Sequence, residues 1–441
     1  MRPPRFFAAV LVLLGSSLFA ETVKDREGAV RQDRAAMVND ERWIYNDFNR
    51  GFAEAKRTGK PLLVVLRCVP CLACAGIDAQ VLLQDSELDP LLEQFVCVRV
   101  INANDLDLAK FQFDYDLSFT TMFFNGDGTV YGRYGSWSHQ KDAGNKATAG
   151  YRRALEAALA LHREYPRNRA AVAGKQGRPM PFASPVEIPS IGARYGRELD
   201  WGGKVVQSCV HCHQISDALR STLRQENKAI PEELIYPYPA PETIGLHLAD
   251  DHAARVVSVG SGSIAEKAGL QPEDDIVAIA GQPLLSIADV SWALHHAPKD
   301  GVLAVTVRRA GAERQVQFDL PPNWRQKADI ARRVGTWPMR AMVTGGMVLE
   351  DLDPAERSRH GLQETEMALF VKHLGEYGEH AAAKNAGFRK GDIIVELEGR
   401  KTRATESEVI GQLLGAHRPG EQISAVVSRG GKRVPLRLPL Q

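Results

Sequence analysis

The sequence predicts a multidomain protein in which an α/β unit is followed by two mostly-β (α+β) units. Strand-length apolar runs alternate with helical segments up to residue 165, and short β-rich runs separated by glycine follow residue 240. A long pattern within this second part occurs twice, which indicates an internal repeat. A chain of 441 residues is also long enough for about three domains.

The N-terminal residues have the layout of a secretory signal peptide. Arg2 and Arg5 precede an apolar run over residues 6–14, and small residues lead to a cleavage point after Ala20. We therefore expect residues 1–20 to be removed and the protein to be exported, for example to a periplasm. The run is short for a membrane span, so no transmembrane segment is expected after processing. The alternative is an uncleaved N-terminal anchor.

Charge and cysteine content narrow the range of possible functions and sites. The net charge is +1 and the basic residues are scattered, so we expect no nucleic-acid partner. The six cysteines are few for a disulfide scaffold of this length, and none follows Cys212. The C-terminal half therefore has neither a disulfide nor a cysteine metal site.

The α/β unit is expected over residues 41–165. Its predicted elements are a helix over 43–60, a buried strand over 62–66, a helix over 77–95, a buried strand over 96–101, a hairpin with strands at 122–124 and 129–134, and a helix over 149–165.

Three cysteines follow the first buried strand directly. Cys68, Cys71 and Cys74 form two overlapping CxxC patterns, and a cysteine in the first turn of a helix favours the thiolate because of the helix dipole. A partner three residues later can close a disulfide. The alternative is a static disulfide between two of the three. Cys97 lies in the second apolar strand and is expected in the core.

The order of these elements resembles the thioredoxin superfamily over residues 41–165. Measured from Lys60 and Pro61, the resemblance makes Cys71 the nucleophile and Cys74 the resolving residue, with Cys68 as an alternative resolving thiol. The cis-proline of thioredoxins is absent, because its place falls on Phe119 or Thr120.

A CxxCH motif follows the α/β unit. Residues 166–194, rich in Pro, Arg, Gly and Ala, are expected to be a linker, and residues 195–240 carry Cys209, Cys212 and His213. CxxCH is the attachment motif of haem c, in which the thiols bind the haem and His213 ligates its iron. The alternatives are a zinc site using histidines such as 211, 247 or 252, or a disulfide between the two cysteines.

The two β-rich units, residues 241–320 and 348–441, are separated by a connector over 321–347. Their repeated pattern, at 261–279 and 383–394, resembles the PDZ domains of bacterial periplasmic proteases. Such domains bind peptide C-termini through a hydrophobic-Gly-hydrophobic loop and a strand edge.

The resemblance places one such loop at Ile244, Gly245 and Leu246, and the other at His360, Gly361 and Leu362. The alternative is a groove filled by its own chain, above all in the second unit. No G-x-S-x-G motif or triad accompanies the units, so a protease is not expected.

This domain order resembles a family of exported thioredoxin/PDZ proteins of environmental bacteria, some of which carry selenocysteine. The resemblance implies a thiol-disulfide oxidoreductase that recruits protein partners by their C-termini, acts on a disulfide-containing protein, and could transfer electrons through haem c. Two alternatives stay open: a non-catalytic PDZ adaptor or scaffold, and a haem c electron carrier.

Overall fold

The computed structural model describes residues 25–38, 40–69, 87–136 and 145–441. The predicted signal peptide over 1–20 and the predicted redox cysteines Cys71 and Cys74 lie outside these ranges. Within them, no helix combines the length and the apolar character needed to cross a membrane.

The N-terminal domain is an α/β unit. Its elements are α1 (Arg26–Val38), β1 (Trp43–Tyr45), α2 (Phe48–Thr58), β2 (Leu62–Arg67), α3 (Asp89–Leu92), β3 (Val96–Val100), β4 (Phe119–Phe124), β5 (Val130–Tyr134) and α4 (Asn145–Glu164). The sheet order is β1-β3-β2-β4-β5, with β1, β3 and β2 parallel and β4 and β5 antiparallel. The two buried strands, the hairpin and the closing helix agree with the sequence-based expectation.

The single helix predicted over 43–60 is wrong, because the structure divides this segment. Trp43 pairs with Cys97 across the sheet as part of the edge strand β1. Asp47 then caps α2, since its side chain accepts a hydrogen bond from the backbone N–H of Arg50. Pairing with β3 thus outweighs the helical period of residues 43–45, while the side-chain cap sets the true start of the helix.

Residues 166–240 pack on the α/β unit and do not form the extended linker expected over 166–194. Their helices are α5 (Arg169–Val172), α6 (Pro189–Gly192), α7 (His213–Gln225) and α8 (Glu232–Ile235). Val172 lies in the apolar core on one face of the sheet. Ile191 and Ile215 lie in the core on the other face. Apolar residues spread thinly through a Pro-rich segment therefore suffice to anchor it on both faces.

The first β-rich unit contains β6 (Leu246–Leu248), β7 (Val256–Val259), α9 (Ile264–Lys267), β8 (Asp275–Ile279), β9 (Gln282–Pro283), α10 (Ile287–His295), β10 (Gly301–Arg309) and β11 (Ala312–Leu320). β6 and β7 form a two-stranded sheet, and the other strands form a sheet in the order β11-β10-β8-β9.

The second β-rich unit contains α11 (Thr336–Thr344), β12 (Met347–Asp351), α12 (Pro354–Arg359), β13 (Leu369–Leu374), α13 (Ala382–Asn385), β14 (Ile393–Leu397), α14 (Glu406–Ala416), β15 (Gln422–Arg429) and β16 (Lys432–Pro439). Its strands form one sheet in chain order. Met339 and Val343 of α11 lie in the core of this unit beside Ile410. The unit therefore begins before residue 348, within the predicted connector.

The same ion pair occurs in both units. Arg309 binds both carboxylate oxygens of Asp274, each at 2.6 Å, and Arg429 binds both oxygens of Asp392 at 2.7 Å. Each aspartate also accepts from the backbone N–H three residues before it, at 2.9 Å. The repeat predicted from the sequence is thus a repeat of structure.

A buried carboxylate joins the first β-rich unit to the α/β unit. Asp289 of α10 lies 2.7 Å from Lys175 Nζ, and both side chains are almost fully buried. The same carboxylate accepts hydrogen bonds from the backbone N–H groups of Leu285 and of Arg133 on β5. Beside it, the guanidinium of Arg133 lies 3.5 Å above the ring of Trp292. Burial lowers the pKa of Lys175, so this amine needs its partner to remain charged.

Asp289→Ala is expected to lower the free energy of unfolding by about 3–5 kcal/mol, because it leaves the charge of Lys175 buried without its partner. Urea unfolding followed by fluorescence measures this change. The matched control is Glu313→Ala, which removes an ion pair with Arg308 that is roughly half exposed and should change the value by less than about 1 kcal/mol. Equal losses in the two variants would contradict the role of Asp289.

Candidate functional site

Cys68 lies directly after β2, at the carboxyl end of the central strand. Its backbone N–H donates to the carbonyl oxygen of Ser118 at 2.9 Å, which holds it beside the start of β4. The carboxyl ends of parallel strands are where open α/β sheets bind ligands. The first of the three clustered cysteines therefore lies at the expected edge, whereas Cys71 and Cys74 are outside the described residues.

His211 of the CxxCH segment contacts Cys68. The Cys68 Sγ atom lies 3.3 Å from Nδ1 of His211. Burial lowers the pKa of His211 to about 4, so its imidazole is neutral at neutral pH. When the ring proton is on Nε2, Nδ1 can accept a hydrogen bond from the thiol, so the imidazole can orient Cys68. The lowered pKa makes this imidazole a weak base, so it orients the thiol and does not hold its proton.

The two residues line one cavity of about 240 Å³. Cys212 and His213 line the same cavity, and Phe113 contributes to its apolar wall. From the sequence, His211 is a candidate only as a zinc ligand, because 143 residues separate it from Cys68. Only the folding of residues 166–240 onto the sheet brings the pair together.

The cysteines of the CxxCH motif are separate thiols in this structure, not a disulfide. Burial raises the pKa of Cys212 to about 12 and raises that of Cys209 as well. Both are therefore protonated at neutral pH. His213 begins α7, and its ring stacks on that of His211 with the centroids 5.9 Å apart.

A covalent haem c requires both thiols and His213 to face one cavity wide enough for a porphyrin. Cys212 and His213 line a cavity of about 240 Å³, which is smaller than the ~300–1,000 Å³ of ordinary ligand pockets. Cys209 instead packs in an apolar cluster with Val205, and its Sγ lies 3.6 Å from the carbonyl oxygen of Ile101. The described residues therefore do not fit an attached haem in this arrangement, and haem attachment stays a prediction.

The zinc alternative also lacks a ligand set in the described part of the chain. No group of three His, Cys, Asp or Glu side chains is arranged there to hold a metal ion. His247 lies on β6, and His252 pairs with Asp251 at 2.9 Å, so both belong to the first β-rich unit.

Cys97 is a core residue, as expected. Its side chain is 1% exposed and packs among the apolar residues of the sheet. Burial raises the pKa of this thiol to about 12, so it is not a nucleophile at neutral pH.

The predicted loop of the first β-rich unit directly precedes β6. Ile244 and Leu246 are buried in the core of the unit, and Gly245 between them has φ +83°. A Cβ atom on Gly245 would overlap the side chain of Ser263. The carbonyl oxygen of Gly245 accepts from the N–H of Gly260 at 2.8 Å. Only glycine satisfies both the backbone angle and the close approach.

The residues predicted to form this loop in the second unit do not lie at the equivalent position. Residues 360–362 follow α12, between β12 and β13, and do not precede the first strand of the unit. The residue equivalent to Gly245 is Gly346, which has φ +82° and accepts from the N–H of Gly375 at 3.1 Å. The corresponding loop is therefore 345–347. The prediction of His360, Gly361 and Leu362 followed the glycine pattern, which does not distinguish a helix-ending turn from this loop.

The groove between the first strand and the long helix differs between the units. In the second unit, Glu406 at the start of α14 accepts a hydrogen bond from the N–H of Leu349 on β12 at 2.8 Å. Arg340 of α11 binds both oxygens of the same carboxylate. In the first unit the position of Glu406 is held by Ile287, so no carboxylate spans the groove there. The chain itself therefore closes the second groove.

Comparisons with known families agree with this architecture. A thioredoxin-like family model matches residues 43–126, and PDZ domain models match 255–309 and 378–440. The protein therefore contains a thioredoxin-like domain followed by two PDZ domains, which are the first and second β-rich units. This confirms the fold class expected from the sequence. None of the curated proteins compared with the chain matches it.

Among solved structures, the chain is similar to the HtrA-type protease AlgW with a tripeptide and to a variant of that protease with a decapeptide. The identities are 20% and 21%, and the matches cover 31% of this chain and 44% and 40% of those chains. The chain thus spans less than half the length of these proteases. With a TM-score of 0.21, this similarity carries no conclusion about function.

Gly346→Ala is expected to destabilise the second PDZ domain by about 3 kcal/mol or more, because its Cβ would overlap the carbonyl oxygen of His380 and φ is positive. Gly361→Ala should cost only about 1 kcal/mol, since no described atom lies within 4 Å of its Cβ. Urea unfolding of both variants tests the loop assignment. A larger loss in Gly361→Ala would contradict it.

Proposed function

We propose that the protein is an exported thiol-disulfide oxidoreductase that recruits its substrate through the first PDZ domain. The observation that supports this best is the 3.3 Å contact between Cys68 Sγ and His211 Nδ1 at the carboxyl end of β2. A half-buried thiol that a neutral imidazole orients at this edge of the sheet suits nucleophilic sulfur chemistry.

In the proposed reaction, the thiolate of Cys71 attacks one sulfur of a substrate disulfide. A mixed disulfide forms and the first substrate thiolate leaves. Cys68, oriented by His211, then gives its proton to the departed thiolate and attacks the sulfur of Cys71. The second substrate thiolate leaves and takes up a proton, so the substrate is reduced and Cys68 and Cys71 become a disulfide. An external dithiol reduces that disulfide and restores the enzyme.

The contact with His211 favours Cys68 over Cys74 as the resolving thiol. Cys74 was expected in that role from the thioredoxin resemblance, and the two assignments differ in their mutational consequence. No step of this scheme passes through haem, because Cys209 and Cys212 do not face one cavity of sufficient size.

Recruitment is assigned to the first PDZ domain, since the groove of the second is spanned by the bond between Glu406 and Leu349. A peptide adding to the edge of β6 would meet no such bond, and β-strand addition of this kind is the usual mode of PDZ recognition. The second domain is proposed to be structural.

The turnover experiment is insulin reduction with a dithiol as the electron donor. Cys71→Ser should abolish turnover, and Cys68→Ser should trap a mixed disulfide that mass spectrometry detects. His211→Asn should lower the rate at least about tenfold, since misplacing a reacting group by about 1 Å can cost ~10²-fold.

Cys97→Ala is the matched control and should keep the full rate, because that thiol lies in the core. Full turnover of Cys68→Ser together with loss in Cys74→Ser would assign resolution to Cys74. Turnover that survives Cys71→Ser, or is absent from the unmodified protein, contradicts the enzymatic proposal and favours an adaptor.

Ala288→Arg should weaken binding of a C-terminal peptide at least about tenfold, because it places a large charged side chain in the groove of the first PDZ domain. Fluorescence polarisation with a labelled peptide measures the change. Ala355→Arg, on the exposed helix α12 of the second domain, should leave binding unchanged. Equal weakening by both changes would show that the groove is not the binding site.

A further inference from the structure

A second cavity lies where the groove of the first PDZ domain meets the thioredoxin-like domain. It has a volume of about 80 Å³. Leu248 of β6 and Ile287 and Ser291 of α10 line it from the PDZ side, and Thr120 of β4 and Arg133 of β5 line it from the other side. The cavity therefore continues the PDZ groove onto the thioredoxin-like sheet.

Two buried polar atoms in its wall lack partners. Oγ1 of Thr120 and Nη1 of Arg133 form no hydrogen bond to any described residue, and the two side chains are 2% and 1% exposed. A buried polar atom without a partner costs about 1–3 kcal/mol, so such atoms call for a ligand. A guanidinium N–H requires an acceptor, and a hydroxyl can donate or accept, so a peptide backbone suits both.

The direction of a bound peptide leads it to these atoms. Consider a peptide that pairs with β6 and has its carboxylate at the loop of Gly245. Its last residue lies beside Leu246. The residues before it then lie beside Leu248, because successive residues advance about 3.3 Å along the strand. Leu248 ends β6 and lines the interdomain cavity, so a backbone group just upstream of the third residue from the C-terminus reaches it.

The cavity also adjoins the site of Cys68. Phe113 and Leu117 line both the interdomain cavity and the cavity that holds Cys68 and His211. The two cavities are therefore neighbours that share these two side chains as a wall.

The domain interface holds this arrangement in place. The hydroxyl of Ser286 donates to the carbonyl oxygen of Arg133 at 2.6 Å, and the indole N–H of Trp292 donates to the carbonyl oxygen of Gly174 at 2.9 Å. With the buried pair of Asp289 and Lys175, these bonds join α10 and its capping residue Ser286 to β5 and to residues 174–175. These bonds therefore fix the distance between the PDZ groove and the thioredoxin-like sheet.

We propose that the first PDZ domain and the thioredoxin-like domain bind one ligand together: the extended C-terminal segment of a protein substrate. Its last residues lie along β6, and a backbone group upstream of them bonds to Thr120 and Arg133. This rests on the proposed function, since it names how the substrate disulfide reaches Cys68 and Cys71. A disulfide a few residues before the C-terminus is the expected substrate class.

The test measures how peptide affinity depends on peptide length and on Thr120 in the cavity wall. The tightest binder is selected from a display library of cysteine-free decapeptides with free C-termini, and its affinity is compared with that of its C-terminal tripeptide. In the unmodified protein the decapeptide should bind at least about tenfold more tightly. Thr120→Val, which keeps the side-chain shape, should weaken the decapeptide about fivefold and leave the tripeptide unchanged.

Thr306→Val is the matched control, because its hydroxyl bonds to Gln315 on β10, away from the cavity. It should change neither affinity. Equal affinities of the two peptides, an undiminished decapeptide affinity in Thr120→Val, or the absence of any binder would each overturn the proposal.

Because the peptides contain no cysteine, the outcome does not depend on turnover. Cys68→Ser should bind them as the unmodified protein does. A length effect that depends on Thr120, found in a protein without insulin reduction, would sustain the shared site and refute only the proposed redox function. Insulin reduction without a length effect would sustain the proposed redox function and refute the shared site.

Discussion

The carboxylate of Asp289 is the point on which the arrangement of the N-terminal half depends. It neutralises a lysine that burial would otherwise discharge, and it accepts backbone N–H groups from both domains. A buried carboxylate with these partners is costly to remove, because the lysine and both backbone N–H groups lose this acceptor at once. The groove of the first PDZ domain therefore faces the thioredoxin-like sheet as a fixed feature of the molecule.

The segment over residues 166–240 has a second, chemical consequence. It contacts both faces of the sheet, supplies Lys175 to the interface, and carries the CxxCH motif at residues 209–213, whose His211 lies beside Cys68. Residues of the CxxCH motif thereby line the cavity that contains Cys68. Its histidine at position 211 is neutral because it is buried, and it is buried because the segment packs on the sheet.

The two PDZ domains share a frame and differ in their grooves. The pairs of Arg309 with Asp274 and Arg429 with Asp392 hold the same turn in each. At the start of the long helix, however, Ile287 leaves the first groove open, whereas Glu406 spans the second. The two domains thus differ at equivalent positions in whether a carboxylate bonds the strand edge, and such a bond competes with any added strand.

The sequence by itself determined the domain order, the buried strands, the hairpin, the core position of Cys97 and the loop before β6, because each depends on local apolar periodicity or turn chemistry. Tertiary structure decided the rest. The partner of Cys68 is 143 residues away, the strand at Trp43 forms only by pairing with β3, and the supposed linker is held by scattered apolar residues on two faces of one sheet. The glycine pattern that suggested residues 360–362 misses the loop at 345–347, which reads Gly-Gly-Met and is identified by its place before β12 and its hydrogen bond to Gly375. Contacts between distant residues leave no local period, so no pattern within a segment could have revealed them.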